Sequence, residues 1–227
     1  ASDVYKRQPT DLSVSDNTLK RFESYGWKTL SINGHNHKEI SNALTIAKNH
    51  NYEEINLNVG CPSKAVQKGG FGACLMNYPD QVSEIVEAIK ESCTLPVSIK
   101  TRLGLDYDEN LDLLHQFIYK TSKAGCSSYF LHARNAILKG ISPKKNRNIP
   151  ALRYDDALKI KQEFSHLSII LNGGIKTMDE IIHYSNLFDG VMIGRKIYDD
   201  PMFLVNIENK IFNSISFYDK NSILEKF

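Results

Sequence analysis

Short β-rich runs alternate with helical stretches along most of this 227-residue chain. Connections of this kind join parallel strands, because a helix returns the chain to the edge of the sheet where the next strand begins. The pattern therefore predicts an α/β fold with a parallel sheet, either open and doubly wound or closed into a barrel. The predicted strands are residues 29–32, 54–59, 97–101, 128–132, 168–171 and 190–193. The predicted helices are residues 36–50, 79–92, 109–123, 154–164 and 177–187.

The positions of the glycine motifs favour the barrel. An open dinucleotide-binding sheet carries G-x-G-x-x-G after its first strand, and this chain has no such motif there. Its glycine motifs, Asn172-Gly173-Gly174 and Gly194-Arg195, follow the last two predicted strands. In (β/α)8 barrels the loops after strands 7 and 8 commonly bind phosphate. If these are strands 7 and 8, the first predicted strand is strand 3, and the sequence predicts a TIM barrel lacking its first two strands.

Three segments are expected along the chain. Residues 1–8 show no periodicity and resemble translated adapter sequence, so we interpret them as a non-native tail. Residues 9–206 are assigned to the barrel, as strands 3–8. Residues 207–227 are interpreted as the start of a truncated helical domain. The chain has neither an apolar run of about 18 residues nor a signal peptide, and we expect it to be cytoplasmic.

Two helix starts carry local signals. Pro79 suits the first turn of the helix predicted at residues 79–92. Thr177 and Glu180 have the spacing of a capping box, in which each side chain accepts a hydrogen bond from a backbone amide near the other residue. Both signals strengthen the assignment of helices after predicted strands.

The carboxyl ends of the strands of such a barrel face the active site, so the residues there are candidates for chemistry. Gly173, Gly174, Gly194 and Arg195 indicate a phosphate-bearing ligand, because glycine lets the backbone approach an anion closely. Lys100 and His132 end adjacent strands and could hold the electron-rich edge of a flavin.

The four cysteines form no C-x-x-C pair and have no suitably spaced histidine partners, which argues against a zinc site or a disulfide framework. Cys61 lies between a glycine and a proline directly after a predicted strand, where its loop opens onto the site. Cys74, Cys93 and Cys126 are interpreted as structural. The run from His35 to His37 lacks a third ligand, so no metal site is predicted.

The net charge of +2 excludes a chain that is polybasic throughout. One segment is nevertheless basic without any acid, and it could contact phosphates or form a solvated loop. Its basic residues are Arg134, Lys139, Lys144, Lys145, Arg147 and Arg153.

These motifs together resemble the tRNA-dihydrouridine synthases, most closely the branch that modifies uridines 20 and 20a of the D-loop. The resemblance covers about residues 28–206. It rests on the order and spacing of NLNVGCPS (56–63), GGFGA (69–73), KTR (100–102), HAR (132–134), LKGISPKKNR (138–147), NGG (172–174) and GVMIGR (190–195).

The resemblance implies an FMN-dependent enzyme that reduces uridine in tRNA, with NADPH as the electron donor. It implies that Cys61 is the general acid that protonates C5 of uracil. The implied FMN-binding residues are Ser31, which replaces a glutamine of the family, and Lys100, His132, Asn172, Gly173, Gly174, Gly194 and Arg195. The residues implied to contact the tRNA substrate are Asn58, Arg134, Lys144 and Arg147. Arg102 is expected near the flavin or the substrate.

Two alternatives remain at this point. One is a flavin barrel that acts on a free pyrimidine, as a dihydroorotate dehydrogenase does. The basic segment argues against it, because a small substrate needs no phosphate-binding loop there. The other is an inactive RNA-binding fragment, in view of the missing strands. The protein is expected to be a monomer that binds tRNA and no membrane.

Overall fold

The computed structural model describes residues 17–33, 36–50 and 52–212. The chain divides into two compact units, residues 1–51 and residues 52–227. The first unit contains helices α1 (Thr18–Ser24) and α2 (His37–Asn49). Asparagine caps the start of each, because the side chains of Asn17 and Asn36 accept hydrogen bonds from backbone amides of the first turn.

The prediction of a strand at residues 29–32 is wrong. These residues are neither helix nor strand in the structure, and they lie in the unit whose described elements are α1 and α2. A β-rich run becomes a strand only when a neighbouring strand accepts its backbone hydrogen bonds. Leu30 is exposed by 53%, and the Thr29 hydroxyl donates a local hydrogen bond to Glu23 at 2.7 Å.

The second unit contains a parallel sheet of five strands, as predicted for the remaining runs. The strands are β1 (Ile55–Asn58), β2 (Val97–Arg102), β3 (Ser128–His132), β4 (Ser168–Asn172) and β5 (Gly190–Met192). Their order in the sheet is their order in the chain, and each neighbouring pair is parallel. A doubly wound sheet reverses its strand order at a switch point. The unbroken order is that of a barrel wall, so the α/β fold and its barrel type are confirmed.

The helices of the second unit are α3 (Lys64–Lys68), α4 (Pro79–Ser92), α5 (Asp112–Lys123), α6 (Tyr154–Glu163), α7 (Met178–Ser185), α8 (Arg195–Asp199) and α9 (Phe203–Ile211). Four of them, α4 to α7, lie close to their predicted positions, and α3, α8 and α9 were not predicted. Short 3-10 helices occupy Gly72–Asn77 and Lys145–Arg147. Pro79 opens α4, and Thr177 and Glu180 form the complete capping box of α7. Helix α5 begins three residues later than predicted, because the Asn110 side chain first accepts a hydrogen bond from the amide of Asp112.

The core of this unit lies between the sheet and its covering helices. The middle strands bury apolar side chains, including Ile99, Leu131 and Leu171, and α5 and α6 contribute Phe117 and Ile160. Strand β2 is almost fully buried along its length, as expected for a parallel strand covered on both faces. The described residues include no helix that is long and apolar enough to cross a membrane.

Candidate active site

The register of the sheet brings the carboxyl ends of the strands to one edge. Asn58 of β1 pairs with Lys100 of β2, and Arg102 pairs with His132 of β3. His132 in turn pairs with Asn172 of β4, and Asn172 pairs with Met192 of β5. The polar residues that the sequence singled out at separate strand ends therefore lie at the same edge, where Asn58 and Lys100 are two residues before the level of Arg102, His132 and Asn172.

A cleft of about 950 Å³ lies at the β3–β5 end of this edge. That volume is at the upper end of the range for sites that bind small molecules and cofactors. It is lined by the predicted residues His132, Lys144, Arg147, Asn172, Gly173, Gly174, Gly194 and Arg195. It is also lined by Lys176, Lys196, Tyr198 and Asp199. Five cationic side chains thus face this cleft with one carboxylate, which favours an anionic ligand.

The glycines after β4 are required by close packing. Gly173 has a φ of +116°, and a Cβ there would lie 2.6 Å from Cδ2 of His132. Gly174 has a φ of +76°, and its Cβ would lie 2.5 Å from a methyl group of Leu152. The Tyr154 hydroxyl donates a hydrogen bond to the Gly173 carbonyl at 2.6 Å and so stabilises this turn. By contrast, a Cβ on Gly194 would meet nothing within 4 Å, so its small size leaves open space in the cleft.

Burial and neighbouring cations keep His132 neutral. Desolvation, followed by the charges of Arg102 and Lys100, lowers the pKa of His132 to about 2. Desolvation and then Arg102 also lower the pKa of Lys100 to about 8. The Lys100 ammonium donates to Oδ1 of Asn172 at 3.1 Å, and the Asn172 amide donates to the Met192 carbonyl at 2.9 Å. Strands β2, β4 and β5 are thereby linked by side chains at the edge.

Cys61 lies in the loop after β1, which we call the thiol loop (residues 59–63). Its thiol is half-buried, and it does not line the cleft at β3–β5. The Cys61 carbonyl accepts from the amide of Ala73 at 2.9 Å. Gly72 has a φ of +76°, and a Cβ there would lie only 2.5 Å from that carbonyl. The glycine-rich run after α3 is therefore shaped to hold the thiol loop closely.

The loop after β3 carries the basic segment across the same edge. Arg134 is buried beneath it and donates to the carbonyls of Asn148 and Pro150. Arg195, from the loop after β5, donates to the Asn148 side chain at 2.6 Å and to the Arg147 carbonyl at 3.2 Å. We call residues 139–149 the basic loop. Lys144 and Arg147 of this loop are exposed and face the cleft.

The sequence of this chain matches a known protein family. The sequence model of the family described as dihydrouridine synthase (Dus) matches residues 8–226. The chain belongs to the dihydrouridine synthase family. The resemblance of the sequence motifs to this family is therefore confirmed.

Curated relatives of this family match the same region. A tRNA-dihydrouridine(20/20a) synthase of Vibrio cholerae is 46% identical over 184 residues, which are 81% of this chain and 56% of the relative. The enzyme of the same name from Vibrio parahaemolyticus is 46% identical over 82% of this chain and 57% of its own. That from Pasteurella multocida is 42% identical over 81% and 56%. The chain thus spans a little over half the length of these dihydrouridine synthases.

The structure groups the predicted site residues unevenly. Most of them line the cleft, and Lys100 reaches it through Asn172. Asn58 and Cys61 lie at the β1 end of the edge, where the Asn58 side chain accepts from the amide of Gly60 at 3.1 Å. Ser31 is exposed and belongs to the first unit. His35 lies outside the described residues, and among those described no group of His, Cys, Asp or Glu is placed to hold a metal.

Several residues of the site were missed from the sequence. Lys176 and Lys196 line the cleft, and their positions within two residues after the two glycine motifs were a usable signal. Asn146 is fully buried within the basic loop, and its side chain pairs with both backbone groups of Ile137 at 2.7 and 2.9 Å. Nothing in a run of lysine, asparagine and arginine indicates which member is buried.

Proposed function

We propose that this chain carries the flavin-binding and catalytic part of a tRNA-dihydrouridine synthase. In this proposal residues 9–206 belong to the barrel domain and residues 207–227 to the start of a helical tRNA-binding domain. The reaction is reduction of the C5–C6 double bond of a D-loop uridine, at position 20 or 20a. The family membership and the arrangement of the sheet edge support the proposal together.

The observation that carries the proposal is the order of groups along the edge. A thiol follows β1, a cationic and a neutral donor lie near the carboxyl ends of β2 and β3, and a cationic cleft with two glycine motifs lies at β4 and β5. Neighbouring strands are about 4.8 Å apart, so β2 and β4 are separated by roughly 10 Å. This order suits an elongated ligand with a phosphate at one end and a ring at the other, and flavin mononucleotide has that form.

The described residues fit FMN chemically. Gly194 leaves open space in the cleft, and Lys176 and Arg195 supply positive charge for a phosphate. Lys100 and neutral His132 are donors beside the place that the ring would take. A lysine whose pKa is lowered to about 8 still carries its proton at pH 7, and it would stabilise negative charge on the reduced ring.

Bound FMN, kept reduced by NADPH, supplies the hydride that C6 of uracil receives. Cys61 donates its thiol proton to C5, so the double bond gains one hydride and one proton. Asn58 holds the uracil ring by donating from its side-chain amide group, while its side-chain oxygen accepts from the amide of Gly60 at 3.1 Å.

The partner in this proposal is tRNA. The target base must leave the folded D-loop to reach the edge of the sheet, as enzymes that act on bases in structured nucleic acids require. Lys144 and Arg147 are exposed on the basic loop beside the cleft and would contact phosphates. Arg134 supports that loop from beneath. We propose a monomeric protein that meets its tRNA in the cytoplasm.

FMN binding tests the proposal directly. Titration of the chain into FMN should produce the shifted absorption bands of a bound flavin, and anaerobic NADPH should bleach them. Arg195→Met, which removes a cation from the cleft, should weaken binding, whereas Lys123→Met at the far end of α5 should not. Equal affinity of the two variants would contradict the placement of the phosphate.

The substrate separates the enzyme from its two alternatives. A D-arm RNA should yield dihydrouridine, whereas free uracil and orotate should remain unreduced. Reduction of the free pyrimidines instead would favour a dihydroorotate dehydrogenase-like activity. RNA binding without any flavin binding would indicate the inactive fragment.

A further inference from the structure

Arg102 makes contacts that a ligand-binding arginine would not need. It ends β2, and only 4% of its surface is exposed. Its Nε donates to the Gly60 carbonyl at 3.1 Å, and one terminal nitrogen donates to the carbonyls of Asn146 and Asn135 at 3.2 and 3.5 Å. The guanidinium is therefore bonded to the thiol loop on one side and to the basic loop on the other.

A second long side chain also bonds to the thiol loop. Gln67 of α3 donates to the Pro62 carbonyl at 2.9 Å and to the Leu138 carbonyl at 3.1 Å. This second bridge joins the thiol loop to Leu138, the residue directly before the basic loop. Both bridges end on backbone carbonyls, so they fix where the loop runs rather than what its side chains bind.

Asn146 anchors the basic loop from a fully buried position. Asn146 is 0% exposed and pairs with Ile137, while its own carbonyl accepts from Arg102. The neighbours Lys145 and Arg147 are exposed. Any displacement of Asn146 therefore removes an acceptor from Arg102, and Arg102 bonds to the residue that precedes Cys61.

The charge of Arg102 is also felt at the thiol. Burial, and then the charge of Arg134, lowers the pKa of Arg102 to about 10, whereas Cys61 raises it. The guanidinium and the thiol are thus close enough to interact electrostatically. A substitution at Arg102 must keep the positive charge if its effect on loop position is to be measured separately.

We propose that Arg102 is a positioning residue that couples the thiol loop to the basic loop, so that the thiol is correctly placed only when the basic loop is seated. This inference rests on the proposed role of Cys61 as the acid. It implies that RNA bound at Lys144 and Arg147 would affect the position of the thiol. The coupling requires no contact between Arg102 and substrate or flavin.

Alkylation of Cys61 by N-ethylmaleimide, followed by mass spectrometry of each cysteine peptide, tests the coupling without flavin or activity. Arg102→Lys keeps the charge but loses the two-sided contact. Alkylation of Cys61 should become about tenfold faster, as expected when one hydrogen bond to a charged group is lost. Asn146→Ala, which leaves the thiol loop untouched, should produce a change in the same direction.

Controls distinguish coupling from a general loss of structure. Cys126 is buried in the same unit and reports global opening within each sample. Lys145→Ala alters the exposed neighbour of Asn146 and should leave Cys61 unchanged. Faster alkylation of Cys61 with an unchanged alkylation rate of Cys126 supports the proposal. The proposal is overturned if the alkylation rate of Cys61 is unchanged in Arg102→Lys or in Asn146→Ala. It is also overturned if the alkylation rates of Cys61 and Cys126 rise equally. Loss of FMN binding by the wild-type chain would instead contradict the proposed function and leave the alkylation result standing.

Discussion

Replacement of Gly173 by alanine should destabilise the second unit strongly. The new Cβ would lie 2.6 Å from Cδ2 and 2.9 Å from Nε2 of His132, and the backbone has a φ of +116°. The backbone strain costs about 1–3 kcal/mol for a residue other than glycine. Displacing a buried ring from a packed site adds about 1–3 kcal/mol. The free energy of unfolding should therefore fall by about 2–6 kcal/mol.

Gly194→Ala is the matched control, because the same change on the next loop meets nothing within 4 Å. It should alter stability by less than about 0.5 kcal/mol. Urea denaturation followed by far-UV circular dichroism is the suitable assay, since the one tryptophan, Trp27, belongs to the first unit. If Gly173→Ala were as stable as wild type, or if the two variants lost equal stability, the packing of His132 against Gly173 would be refuted.

Three further predictions follow from single residues. His132 has a folded pKa of about 2, so the unfolded chain binds its proton below about pH 6.5 and stability falls as the pH drops. Between pH 7 and pH 5 the wild type should lose about 2 kcal/mol more than His132→Gln, and equal losses in pH-dependent urea denaturation would contradict the neutral histidine. Thr177→Ala should cost about 0.5–2 kcal/mol through loss of the cap of α7, while Thr177→Ser should retain most of it in the same assay. Lys144→Ala should reduce the slope of log affinity for tRNA against log salt by about 0.7–0.9, and Lys123→Ala, distant from the basic loop, should leave the slope unchanged.

The sequence predicted those features that depend on local pattern. Strand Ser128–His132 and helix Pro79–Ser92 have the predicted bounds. In each element the apolar side chains that set the sequence period are the ones that the fold buries. The cationic cleft was also predictable, since parallel strands place Gly173, Gly194 and their neighbours at one edge whatever the details of packing. The capping box of α7 needed only the spacing of Thr177 and Glu180.

Features that depend on partners distant in the chain were not predictable. Residues 29–32 have the composition of a strand, but composition does not supply a hydrogen-bonded neighbour. The hydrogen bonds of the Arg102 guanidinium to the carbonyls of Gly60, Asn135 and Asn146 were not predicted. Those acceptors lie on other loops, and backbone carbonyls carry no sequence signal. The burial of Asn146 was not predictable for the same reason.

The role of Cys61 is tested most directly by a single-turnover reaction with the chain loaded with reduced FMN and a D-arm RNA. Dihydrouridine is quantified by mass spectrometry for the wild type and for Cys61→Ala, with FMN affinity measured in parallel. If Cys61 is the general acid, Cys61→Ala should bind FMN as tightly as the wild type but form dihydrouridine about 10²–10⁴-fold more slowly, the usual contribution of such a group. Equal rates of dihydrouridine formation by the two proteins would contradict this role of Cys61.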